Sequence, residues 1–400
     1  MARKTLERGH VEEQHISAFG GHPLQYHVAT SKAFAAGAAD AGPLQALADL
    51  NVTDVEQLVA LSGIPEARPK LASALGLGKA EFDNLVKEAR KILPPPLAAD
   101  LEMPLPPMFS LGAMEPPADK AEFAEAVLAD LVAAPPVGAA INLISVMPPI
   151  RNQGARGTCV SFTLTAIQDY YRRLHGIASP NFSEQHLYHE IKLIDGSPAA
   201  CGTWQSYGRQ VLMNRGQCRE LIWPYNPNLP CNNNGVMPAT ARPDALHYRL
   251  NLTALTPKNA GLIRSTLSTR RPVGISFPVY NSWYLSPAVR QTGRITMPLP
   301  GETSVGGHAV CLVGFQDTPT SPGGGYFILR NSWGTTWGAT NPYGAGYGVI
   351  PYAYITGYNW EAFTLTTIAV PGEEGGDEAP PPSEKNITLK VKGNVNIVLE

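Results

Sequence analysis

Residues 148–173 read PPIRNQGARGTCVSFTLTAIQDYYRR, and the fold turns on what this stretch can form. Val160, Leu164, Ile167, Tyr171 and Leu174 recur at helical spacing, so Cys159 is expected to open an amphipathic helix. Gly154 and Gly157 just before it permit a close backbone approach. A thiol at a helix N-terminus meets the positive end of the macrodipole and unsatisfied amide donors, so its pKa is expected to fall below that of a free cysteine. A dipole alone makes a modest nucleophile, and a histidine from another element is the next requirement.

GGHAVCLVGF at 306–315 supplies one. His308 begins an apolar run, Ala309 to Phe315, that suits a buried strand, and a Gly-rich loop leads on to a second strand, YFILRN, ending at Asn331. If these two strands are antiparallel neighbours, the asparagine at the end of one lies beside the histidine at the start of the other. It can then accept the imidazole N–H and hold the ring toward the sulfur.

NQGARGTCVSF, GGHAVCLVGF and NSWGTTWG resemble the three signature segments of the papain family of cysteine peptidases. The resemblance spans roughly 140–371. It implies an α+β, two-lobe fold, with a helical lobe headed by the Cys159 helix and an antiparallel sheet or barrel lobe carrying His308 and Asn331. It further implies Cys159 as nucleophile, His308 as its base partner, Asn331 as the group that orients the histidine, and Gln153 as an oxyanion donor. Trp333 matches the tryptophan that shields the Asn–His hydrogen bond, and Gly202 and Thr203, in CGTWQSYG, match the segment that lines the substrate cleft. No cofactor or metal is implied.

Three departures stand out: Arg156 replaces a cysteine that would pair with Cys201, Val160 replaces a tryptophan, and Gly307 replaces an aspartate. They are similar to bacterial rather than lysosomal members. They bear on subsite shape and pH optimum, not on reaction class.

Outside this unit the chain changes character. Residues 1–43 read as a flexible arm. Residues 44–93 read as a small all-α domain, with a capping box at Thr53–Glu56 opening one helix and a second helix expected over 79–92. Its punctuation is similar to helix-hairpin-helix modules, but its basic and acidic residues balance, which argues against phosphate contact. Residues 94–139 form a Pro-rich linker, expected to run extended, with an amphipathic helix at about 119–133. After the catalytic unit, 372–400 combine an acidic spacer with an alternating apolar pattern, Ile387 to Leu399, that reads as a strand or hairpin able to add to a sheet.

The partner expected is a protein or peptide substrate, with a protein partner open for the helical domain or the terminal strand. With 31 basic and 33 acidic residues there is no basic excess for nucleic acid or an anionic membrane. No apolar run reaches membrane or signal-peptide length, so a cytoplasmic location is expected, with non-classical export left open. Five cysteines leave at least one thiol free; Cys201, Cys218 and Cys231 could contribute a disulfide, and without a CxxC pair a metal site is not expected. Two rival readings stay open: acyl transfer or ligation on the same fold, and a binding protein that keeps the fold without catalysis. Residues 44–133 are expected to cover the cleft or dock a regulator.

Overall fold

All eight residues of Val273–Tyr280 are buried, as expected for a strand covered on both faces. It lies near the centre of a seven-stranded sheet in a computed structural model that describes residues 17–27, 42–107, 109–117, 139–177, 180–231 and 233–366. In chain order the strands are β1 (Ala140–Asn142), β2 (Leu252–Ala254), β3 (Val273–Tyr280), β4 (Ser304–Asp317), β5 (Gly325–Arg330), β6 (Tyr347–Pro351) and β7 (Glu361–Leu365). Their order across the sheet is β2–β7–β3–β4–β5–β6, every pairing is antiparallel, and β1 joins the far end of β4. The register sets Phe277 opposite His308 and Cys311 opposite Arg330. Asn331, one residue past β5, therefore comes back toward the start of β4.

The helices are α1 (Leu24–His27), α2 (Gly42–Asp49), α3 (Val55–Gly63), α4 (Ala67–Ala74), α5 (Lys79–Arg90), α6 (Pro95–Leu101), α7 (Cys159–Leu174), α8 (Glu184–Lys192), α9 (Gln205–Asn214), α10 (Ala241–Ala245), α11 (Ala260–Ser268), α12 (Asn281–Tyr284), α13 (Pro287–Thr292) and α14 (Tyr352–Tyr358). α7 packs on β3 and β4 and is flanked by α8 and α9. Its Leu164 and Ile167 share one core with Ile275, Phe277, Val310, Leu312 and Phe327 of the sheet. At about 1.5 Å per residue, the 16 residues of α7 cross most of a lobe.

α2 to α6 enclose a second core around Leu47, Val55, Leu58, Leu71, Phe82 and Leu85, which Ala288 and Leu299 of the catalytic unit enter. Polar contacts reinforce that seam. Asn51 Nδ2 donates to the Ile295 carbonyl (2.7 Å), Met297 N to Leu50 O (3.0 Å), and Arg294 pairs with Asp54 at 2.9 Å, both side chains largely buried.

Several local expectations shift. The cap of α3 is Asp54 rather than Thr53, and Gln57 rather than Glu56 accepts from the backbone amides of Thr53 and Asp54. Glu56 is drawn away to His22, whose ring Nδ1 lies 2.6 Å from its carboxylate and whose amide donates to it at 2.9 Å. That contact comes from the expected arm, of which 17–27 docks on the helical unit through the Pro23–Asp54 bridge and the buried Leu24. In the linker, Pro95–Leu101 is helical: prolines in a first turn forfeit no hydrogen bond, and Ala98 and Leu101 gain a core to enter. The helix expected at 119–133 and the strand expected at 387–399 fall outside the described residues.

Candidate active site

Cys159 is the first residue of α7, and its side chain is fully buried. Thr158 before it is held by Tyr225, whose hydroxyl lies 2.7 Å from Thr158 Oγ1 and donates to the Gln153 carbonyl at 2.8 Å. Backbone amides of Val160 and of Cys159 itself act on the sulfur, as the helix-start reading requires, and so do amides from two distant segments, those of Ala309 and Gly112. The Ala309 contact sets the thiol beside the His308–Ala309 step of β4.

His308 Nε2 and Asn331 Oδ1 are 2.8 Å apart, and the Ser332 amide donates to the same oxygen at 2.8 Å. An oxygen that accepts from a backbone amide accepts from the imidazole as well, so Nε2 carries the proton and Nδ1 keeps its lone pair. Nδ1 is buried without a hydrogen-bond partner among the described residues. The Trp333 indole stacks on the imidazole, with centroids 4.3 Å apart, and closes off the His308–Asn331 bond from one side.

Gln153 is fixed at both ends. Its amide donates to Ser332 O (2.8 Å), its Oε1 accepts from Ser332 Oγ (2.6 Å), and its Nε2 donates to the carbonyls of Arg156 (2.8 Å) and Ser110 (2.9 Å). The Ser110 carbonyl arrives from outside the catalytic unit, on an extended segment that crosses the site. Phe109 stacks on the outer face of Trp333 (4.7 Å) and exchanges hydrogen bonds with the Tyr284 hydroxyl. The amides of Gly112 and Ala113 donate to Gly307 O (3.0 and 3.1 Å), Thr203 N donates to Gly112 O (2.8 Å), Met114 N to Thr203 O (2.9 Å), and Trp204 Nε1 to Glu115 O (3.0 Å). Position 112 must be glycine for this path: a Cβ there would stand 2.2 Å from the Gly157 carbonyl oxygen.

Burial decides the charge state of the pair. Burial pushes the Cys159 thiol up to about 11 and outweighs the amides that pull it down; burial likewise pulls His308 down to about 4 against its bond to Asn331. A lowered thiol pKa was expected from the helix terminus alone. The covered site instead holds thiol and imidazole neutral, because desolvation penalises both charged forms.

Cys159, His308, Asn331, Gln153 and Trp333 come together, and Thr203, next to Gly202, is hydrogen-bonded to the 112–114 segment that crosses them. Arg156 points away, donating to Gln185 Oε1 (2.7 Å) and the Asn226 carbonyl (2.9 Å) between the rings of Tyr188 and Tyr225. Cys201, deprived of a partner at 156, forms a disulfide with Cys231, while Cys159, Cys218 and Cys311 are free and buried. Sequence reasoning missed Ser332 as the residue that ties Gln153 to Asn331, and although it expected 44–133 to cover the cleft or dock a regulator, it did not single out 109–115, which it placed in the Pro-rich linker. The one local hint of the latter is an uncharged run, FSLGAM, set between Pro107 and Glu115.

The profile of the papain family cysteine proteases matches residues 142–347, just over half the chain, and the chain belongs to that family. A peptidase C1-like protein of Acanthamoeba polyphaga mimivirus is 27% identical over 229 residues, which cover 55% of this chain and 70% of the viral one. Mouse pro-cathepsin H is 23% identical over 195 residues, 48% of this chain and 55% of the relative. Among solved structures, xylellain, a cysteine protease from Xylella fastidiosa, superposes with a TM-score of 0.53 at 25% identity, covering 65% of this chain and 97% of its own. The chain is thus a cysteine-type peptidase with a helical region ahead of its catalytic unit.

Proposed function

We propose that this chain hydrolyses peptide bonds in protein or peptide substrates through Cys159, His308, Asn331 and Gln153, and that residues 109–115 hold it covered until they are displaced. The observation that carries the reading is the Gln153 side-chain amide already donating to a peptide carbonyl, that of Ser110, beside a thiol at a helix start and an oriented imidazole. A site built to bind a carbonyl oxygen next to a nucleophile is built for acyl chemistry.

With the cover displaced, water and substrate re-enter and the burial penalty on both groups falls, so the proton can pass from Cys159 to His308 Nδ1. The thiolate attacks the scissile carbonyl carbon, and the oxyanion is met by Gln153 Nε2 and the Cys159 amide. As the C–N bond breaks, His308 gives its proton to the leaving amine, and a thioester remains on Cys159. Water, losing a proton to His308, attacks that thioester and releases the acid and the thiol. Asn331 keeps Nε2 as the donor throughout, so that Nδ1 is the nitrogen that takes and gives protons.

Among the described residues no helix is long and apolar enough to cross a membrane. The Cys201–Cys231 disulfide, exposed at Cys201, favours an oxidising destination over the reducing cytoplasm expected from sequence. The helical unit and the C-terminal tail remain the segments proposed for partner docking.

Turnover of a peptide library, read by mass, tests the core of this reading. Hydrolysed ends should appear with the wild-type chain, and Cys159→Ala should lose at least about 10⁴-fold in rate. Products carrying an added amine in place of hydroxyl would mark a transferase, and turnover retained by Cys159→Ala would remove the assignment.

A further inference from the structure

Thr203 offers its backbone to an extended chain on one side, and a buried polar cluster grips it from the other. Lys192, at the end of α8, pairs with Asp195 at 2.6 Å with both side chains almost wholly excluded from solvent. Lys192 Nζ also donates to Gly202 O (2.9 Å), and Thr203 Oγ1 donates to the same Asp195 oxygen, Oδ2, at 2.9 Å. Asp195 Oδ1 accepts from Ser197 N at 2.9 Å, and the Gly202 amide donates to the Tyr188 hydroxyl at 3.2 Å. Every polar group of Gly202–Thr203 that faces inward is thereby engaged. Only the amide and carbonyl of Thr203 face the cleft, and both are taken by Gly112 and Met114.

Burying a lysine and an aspartate together is costly in desolvation and often adds no net stability. Apolar residues of like volume could join the end of α8 to the loop without that cost. What apolar packing cannot do is fix the orientation of a carbonyl and a hydroxyl, and hence of the peptide planes that carry them. We infer that the Lys192–Asp195 pair is a positioning device for substrate: it orients Gly202–Thr203 so that the Thr203 amide and carbonyl form a two-bond edge for the backbone of an extended peptide. The inference rests on the peptidase reading and on the cleft lining that the family resemblance implies for Gly202 and Thr203; what it adds is the buried pair that holds that lining in place.

Two thiol reagents applied to the full chain test it. Iodoacetamide reaches Cys159 without using the Thr203 edge, whereas a peptidyl epoxide must lie along that edge. Both require the cover to move aside, so the ratio of their labelling rates cancels the opening equilibrium and reports edge binding alone. Thr203→Val, which removes the hydroxyl at nearly constant shape, and Lys192→Met should each lower the epoxide-to-iodoacetamide ratio at least about fivefold, and Thr203→Ser should restore it to near the wild-type value. A merely structural role would lower the melting temperature and leave the ratio alone. Unchanged ratios in Thr203→Val and Lys192→Met would overturn the inference, and Thr203→Val decides if Lys192→Met does not fold. Failure of Cys159 to label with either reagent, in the wild type and in the cover-weakened Gly112→Val chain alike, would overturn the peptidase reading and this inference with it.

Discussion

The wall of the site and the segment that covers it are held by different kinds of bond. The wall is fixed by side chains reaching across the fold: Ser332 to Gln153, Asn331 to His308, Tyr225 to Thr158, Lys192 and Asp195 to Gly202 and Thr203. The cover is held mainly through its backbone, with Phe109 as its one aromatic anchor against Trp333. Backbone hydrogen bonds contribute about 1 kcal/mol each, net of water, and any extended peptide can make the same ones. A wall fixed by side chains keeps its geometry when the cover leaves. A cover fixed by main chain can be replaced by substrate.

The comparison breaks at the wall first. Gln153→Ala removes the donor proposed for the oxyanion and should cost about 10²–10³-fold in kcat, measured on peptide hydrolysis. A loss seen only in KM would make Gln153 a mere binding group.

Acid tests how tightly the wall is sealed. His186, on α8, is fully buried with neither ring nitrogen partnered among the described residues, and burial pulls it down to about 4 even though Glu190 favours its charged form; His189, Arg242 and Asp244 also act on it. Unfolded, the ring titrates near its ordinary 6.5, so between these values the unfolded chain binds more protons. Stability is therefore lost as pH falls from about 6.5 to about 4, by up to about 3 kcal/mol from this residue. His186→Leu should flatten that acid limb in denaturant titrations. An unchanged slope would show the ring to be solvated.

The cover should give way most gently. In Gly112→Val the new Cβ meets the Gly157 carbonyl, and overpacking of about 1–3 kcal/mol should raise the labelling of Cys159 by iodoacetamide about tenfold. An unaltered rate would mean that 109–115 does not limit access.

Much of the wall was legible in the chain because each piece is local. Helical spacing from Val160 to Leu174 placed Cys159 at a helix start, and the apolar run after His308 and the strand ending at Asn331 foretold two paired strands. Ser332 was not legible, since its role comes from Gln153, 179 residues earlier in the chain. Nor was the helix at Pro95–Leu101, where the packing of Ala98 and Leu101 decided between two conformations open to proline.

The sequence by itself determined the family, through the resemblance of its three signature segments, and periodicity set Cys159 at a helix start and His308 on a strand, because such signals act within a few turns of chain. Only the tertiary structure decided that Cys201 pairs with Cys231, that FSLGAM lies across the thiol, and that thiol and imidazole are neutral beneath it. Those outcomes depend on which surfaces exclude water from one another, and solvent exclusion is a property of segments far apart in the chain.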